Sequence, residues 1–150
     1  MKRVLALGLF ATSVWLLTVL GSHFNSSAGP DQGWQEWQPG LAQSFTAEGR
    51  VVFVDVTADW CITCKTNKAL VLDTDTVSKT FADQGVVLLR ADWTLPDDAI
   101  SAYLASFGRY GIPFNAVYGP LAPDGLPLPE ILTTSAIRDA LQRASGPPLH

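Results

Sequence analysis

The only two cysteines of this 150-residue chain, Cys61 and Cys64, stand in the segment DVTADWCITCK, directly after Trp60. Two thiols separated by two residues can form one dithiol/disulfide couple, or they can hold a soft metal ion. A purely structural bridge is the third reading, but the chain-entropy model assigns about 2 kcal/mol to closing so short a loop. A redox-active dithiol is the reading the spacing favours. If Cys61 opens a helix, the unpaired N–H groups and partial positive charge there stabilise its thiolate. Cys61 could then attack a partner's disulfide, and Cys64, one turn further and more enclosed, could resolve the mixed disulfide. Ile62 and Thr63 between them would tune acidity and redox poise.

Asp55 is the next candidate. Alternation along the strand puts it on one face with Val51, Phe53 and Thr57. A buried carboxylate there has a raised pKa and could exchange a proton with Cys64; an aspartate reaching solvent at a strand end is the plainer alternative. Arg90 could pair with Asp55 from the neighbouring strand, but a solvated strand-end arginine is the expectation. Lys65 and Lys68 read as a solvated helix face, with Lys65 near enough to favour a thiolate slightly. Trp93 reads as packing. Pro113 opens a strand, and since only about 5–6% of X–Pro bonds in folded proteins are cis, physics alone favours trans.

These residues need elements to hold them. RVVFVDVTADW is nearly continuously apolar from Val51 to Val56, as in a central strand buried on both faces. A helix should start near Cys61 and, after the DTDT break, continue from Thr76 to Phe81. GVVLLRADW is a second central strand. LPDDAISAYLASFGRYG is an amphipathic helix with Ile100, Tyr103, Leu104 and Phe107 on one face and Gly108 as its cap. IPFNAVYGP is a third strand. APDGLPLPEIL reads as a turn at Asp124-Gly125 and then an edge strand, because prolines exclude a central position. TTSAIRDALQRAS is a closing helix with a Thr or Ser cap. WQEWQPGLAQSFTAEG reads as a short broken helix, with Trp34, Trp37, Leu41 and Phe45 at spacings of three and four. The pattern is α/β, with a central mixed β-sheet flanked by helices.

VDVTADWCITCK resembles the active-site segment of the thioredoxin-like superfamily, including the aspartate six residues before the first cysteine. YGIP resembles the family's cis-proline loop. The resemblance implies a thioredoxin-like fold in which Ile112-Pro113 is cis and faces Cys61. It makes Cys61 the nucleophile, Cys64 the resolving thiol and Asp55 the proton relay. Trp60, Ile112 and Pro113 are then the surround that binds a partner segment. VTADWCITCK, RADWT, FGRYGIPFN and YGPLAPDGLPLPEIL are similar to the C-terminal periplasmic domain of DsbD-type thiol:disulfide interchange proteins, particularly the ScsB-like branch. That likeness spans roughly residues 50 to 145 and implies a protein-disulfide reductase acting on protein substrates with disulfides, with no cofactor beyond its own cysteines. DsbD-type proteins join such a domain to a polytopic membrane domain that delivers electrons. The 150 residues hold no such domain, so the expected source is a separate membrane electron donor of DsbD type. A Cu(I)-binding or copper-tolerance module, a thiol oxidase or isomerase, and a non-catalytic adaptor are the competing readings.

Elimination narrows the classes further. The two histidines, His23 and His150, lie in terminal segments. No cysteine–histidine hydrolase follows, and a closed zinc site, which needs about four ligands, has too few; no metal ligand is assigned. Net charge is −4, and no basic stripe offers a nucleic-acid footprint. Lys2 and Arg3 precede an apolar run from Val4 to Leu20, which reads as a signal peptide or an uncleaved N-terminal membrane anchor over residues 1–21. Residues 22–33 read as a linker and 34–150 as the thioredoxin-like domain, expected outside the cytoplasm, in the periplasm, as a monomer.

Overall fold

Runs rich in β-branched and apolar residues set the sheet, and polar breaks between them set its connections. The computed structural model describes residues 33–145, so the expected leader and all of the expected linker except Gly33 lie outside the described residues. Five strands form one sheet: β1 (Trp34–Glu36), β2 (Val52–Thr57), β3 (Val87–Asp92), β4 (Phe114–Gly119) and β5 (Ala122–Pro127). Their spatial order is β1-β3-β2-β4-β5. β1, β3 and β2 run parallel, whereas β4 runs antiparallel to both β2 and β5. β2 is central, which is why its first five residues are buried.

The parallel β2–β3 pair needs a crossover, supplied by α2 (Ile62–Asn67), a π-helical stretch (Lys68–Leu72) and α3 (Asp75–Asp83). α1 (Leu41–Ala47) joins β1 to β2, and α4 (Asp98–Ser106) leads from β3 towards β4. Asp97 caps α4, its carboxylate accepting the Ile100 N–H at 2.9 Å. α5 (Thr134–Ser145) closes the described chain, with the Thr133 hydroxyl accepting the Ala136 N–H at 3.1 Å.

Two expectations are corrected here. Trp34 to Glu36 is a parallel edge strand on β3 rather than the start of a helix, with the Trp37 N–H donating to the Arg90 carbonyl at 2.8 Å. Gly40, at φ 80°, restarts the chain as α1. Sheet hydrogen bonds available at the β3 edge outweigh a helical spacing that Pro39 had already broken. The β4–β5 turn also lies earlier than expected, at Pro120-Leu121, because Gly119 pairs with Ala122. Gly125 sits inside β5 at φ 85°, where a Cβ would come within 2.7 Å of the Tyr118 ring. It serves a bulged edge strand rather than the turn.

Alternation splits the core in two. On one face Val52, Val54, Val56, Leu89, Leu104, Phe114 and Tyr118 cluster with Trp37 and Ala42. On the other, Phe53, Val77, Phe81, Val117, Ile137 and Leu141 meet α3 and α5. Each fully buried side chain of this size contributes about 1.5–3 kcal/mol. Among the described residues no helix is long and apolar enough to cross a membrane.

Candidate active site

The end of β2 delivers the two sulfurs. A turn after Thr57 brings the Cys61 N–H to the Ala58 carbonyl at 3.1 Å, and Cys61 becomes the N-cap of α2. Its sulfur accepts the Cys64 N–H at 3.2 Å, and Cys61 and Cys64 are joined as a disulfide. Both cysteines are buried, in a small cluster with Ala58. Trp60 and Ile62 on either side of Cys61 are 60% and 80% exposed. Such a pair can accept two electrons from a dithiol that docks on the apolar collar, or return them once reduced.

The collar is fixed from β3. The Trp60 indole N–H donates to the Thr94 carbonyl at 3.2 Å, and the Asp59 N–H donates to the Thr94 hydroxyl oxygen at 2.9 Å. Thr94 is itself held by Asp92, whose carboxylate accepts its N–H at 2.9 Å and also its hydroxyl. The signal for Thr94 in the sequence is a D-x-T triplet at the end of a strand, which makes this kind of local turn.

Opposite the sulfurs, the Ile112–Pro113 peptide is cis, and half-buried Ile112 packs on the Ala58–Cys61–Cys64 cluster. The approach to this loop is braced. Arg109 pairs with the Glu130 carboxylate at 2.9 Å, and Glu130 offers its carbonyl to Asn67 Nδ2 at 2.7 Å. Asn67 Oδ1 accepts the Leu132 N–H at 3.1 Å. The loop after β5 thus grips both α2 and the segment before the cis peptide. Asn67 has no such signal, since an amide on a helix carries no sign of burial in sequence alone.

Asp55 lies in a polar row across three strands, in register with Arg90 on β3 and Asn115 on β4. Asn115 Nδ2 donates to Asp55 Oδ1 at 2.8 Å, and Arg90 Nε stands 3.5 Å from Oδ2. The expectation of a solvated Arg90 is corrected: its side chain is 16% exposed and faces Asp55. Register decides this, because on a half-buried row the guanidinium finds a carboxylate nearer than water. Burial pushes the Asp55 carboxyl up from its ordinary value, against the opposing pull of Arg90, the Asn115 hydrogen bond and, more weakly, Lys68. Lys68 is half-buried rather than fully solvated. It follows Cys64 by four residues along the helical crossover.

Comparison with known proteins agrees with this geometry. The thioredoxin-like family model matches residues 33–120, more than half of the chain. The thiol:disulfide interchange protein DsbD of Ralstonia nicotianae is 41% identical over 68 residues, which is 45% of this chain and 11% of that protein's length. The fold is similar to the oxidised C-terminal domain of Neisseria meningitidis DsbD, with a TM-score of 0.55, 23% identity, and 70% of this chain and 90% of that one covered. The first thioredoxin domain of mouse protein disulfide-isomerase A4 matches with a TM-score of 0.56 at 18% identity, covering 83% of this chain and 89% of that one. Sheet order, paired cysteines at a helix start and the family match converge: this chain belongs to the thioredoxin-like family.

Proposed function

We propose that this protein exchanges dithiol for disulfide with exported proteins and works as a protein-disulfide reductase. The observation that carries the reading is the Cys61–Cys64 disulfide at the start of α2, packed against the residue preceding a cis-proline and ringed by exposed Trp60 and Ile62. In the reduced protein the Cys61 thiolate attacks one sulfur of a partner's disulfide. A Cys61–partner bond forms and the partner's second sulfur leaves as a thiolate, taking a proton from solvent. Cys64 then gives its proton to the Asp55 carboxylate and attacks the Cys61 sulfur. The Cys61–Cys64 disulfide closes, and the partner's first sulfur departs and is protonated. The partner gains two electrons and two protons, and this protein's dithiol is oxidised. Trp60, Ile112 and Pro113 form the surface on which the partner segment lies.

The DsbD match supports the reductase direction and an extracytoplasmic, periplasmic setting. Residues 1–21 act as export signal or anchor, 22–33 as linker and 34–150 as the working domain. A membrane protein of DsbD type recharges the dithiol. The reduction potential of the full chain, read by alkylation and mass spectrometry across graded dithiol buffers, tests the direction. A reductase should lie near the thioredoxin value of about −270 mV; a value near about −120 mV, as for DsbA, would mean an oxidant.

A further inference from the structure

The ends of β3 and β5 lie on opposite sides of the dithiol, because β3 flanks β2 on one side while β4 and β5 lie on the other. The β3 side holds the Trp60–Thr94 tie. On the β5 side the chain runs from Pro127 to α5 with Leu128 and Leu132 buried, while Ile131 between them is 65% exposed. Asn67, the last residue of α2 and three beyond Cys64, is itself buried. Its amide bonds the residues on either side of Ile131: Nδ2 donates to the Glu130 carbonyl at 2.7 Å, and Oδ1 accepts the Leu132 N–H at 3.1 Å. The Glu130 carboxylate in turn pairs with Arg109 at 2.9 Å. From Arg109 the chain passes through exposed Tyr110 to Ile112, which packs on the cysteines. Ile131 is thus bracketed by one residue bonded to both the dithiol helix and the approach to the cis peptide, and one bonded to that helix.

A single exposed apolar side chain needs no explanation. One whose two neighbours are both tied down stands in a fixed place, and little freedom is lost when a partner covers it. Arg109 and Glu130 beside it neutralise each other, which leaves apolar contact as the means of recognition. We infer that Asn67 is a positioning residue for partner recognition: it holds Ile131 at the β5 side of the partner surface, so that the protein favours a disulfide whose cysteine is flanked by a bulky aliphatic side chain. The inference rests on the exchange activity proposed above and names the kind of segment that activity selects. Ile131 touches the partner, whereas Asn67 acts through the backbone of Glu130 and Leu132. Loss of either weakens capture of an aliphatic-flanked segment and leaves the chemistry at Cys61 and Cys64 as it was.

The test uses the full reduced chain and two peptides that differ only beside their cysteine, leucine in one and serine in the other. Each is disulfide-bonded to a fluorescent thiol whose release is followed. Wild type should favour the leucine peptide in kcat/KM by about tenfold. Ile131→Ser, an exposed change that leaves the core intact, should raise KM for the leucine peptide by about tenfold with kcat unchanged, and leave the serine peptide as it was. Asn67→Ala should do the same and Glu130→Ala the same by less. In an Ile131→Ser background, Asn67→Ala should add nothing. The Cys61–Cys64 reduction potential should be equal in all of them. A wild type that treats the two peptides alike overturns the inference. So does an Ile131→Ser variant that keeps the preference, or an Asn67→Ala variant that slows both peptides equally, as a merely structural role would. If the wild type reduces neither peptide, the proposed exchange activity fails. Fluorescence polarisation of the leucine peptide, with serine in place of its cysteine, then decides the inference: tighter binding to wild type than to Ile131→Ser upholds it, and equal binding overturns it.

Discussion

The two faces of the sheet are built from the same three central strands, yet they are unlike. Towards α1 and α4 the face is apolar, with Val52, Val54, Val56, Leu89 and Leu104 clustered with Tyr118 and Tyr103, whose hydroxyls meet O to O at 3.0 Å. Towards the helical crossover and α5 the apolar cluster of Phe53, Val117 and Leu141 shares its face with the row Arg90–Asp55–Asn115. Burying a charge is costly unless it is paired and hydrogen-bonded, and an apolar replacement of the whole set is often as stable. The first, dry face is a cluster of apolar and aromatic side chains. The face that keeps a polar row is the one that meets the helical crossover leading on from Cys64.

The sharpest break between the two roles is at the sulfurs. Cys61→Ser should abolish exchange, a fall of at least about a thousandfold in rate if nucleophilic attack is lost. Cys64→Ser should instead trap a partner on Cys61, visible as a mixed disulfide on non-reducing gels. A Cys61→Ser variant with wild-type activity would sink the mechanism. The dry face should answer in stability: Leu104→Ala should cost about 2–5 kcal/mol in urea unfolding, while the folded fraction keeps its exchange rate. A rate loss with stability intact would blur the division.

Asp55→Asn should slow resolution by about a hundredfold, at the modest end of general-base effects, and capture by Cys61 much less. The same variant carries a stability signature. Burial makes folded Asp55 hold its proton more tightly than at the ordinary value of 3.8 expected when unfolded. The folded state therefore binds more protons between the two values, and wild-type stability drops as pH rises through that window. Asp55→Asn lacks this fall, so denaturant unfolding should show its stability gaining on the wild type with pH, then running parallel above the window. A flat difference would mean that burial does not raise the carboxyl. The smallest effect belongs to the collar: Thr94→Val removes the hydroxyl bonds to Asp59 and Asp92 and should cost about 0.5–1.5 kcal/mol, with slightly weaker partner capture.

Much of this is legible in the sequence. The β2, β3 and β4 runs were readable because a strand buried on both faces must be apolar at nearly every position. Tertiary context decided the places where local pattern misled. The spacing of Trp34, Trp37, Leu41 and Phe45 suits one helix face, but Trp34 joins an edge strand and Leu41 opens α1. Asp124-Gly125 has turn chemistry, yet the hairpin reverses at Pro120-Leu121 and the glycine is used for its close approach to Tyr118.

The sequence by itself determined the redox couple, the central strands and the face on which Asp55 stands, because thiol spacing and a period of two are local properties of the chain. What lies beside Asp55 only the tertiary structure decided. Arg90 and Asn115 are 35 and 60 residues away along the chain, and Trp34 lies 56 residues before Arg90. Strand register brings them together, and register is fixed by the packing of the whole sheet rather than by any segment within it.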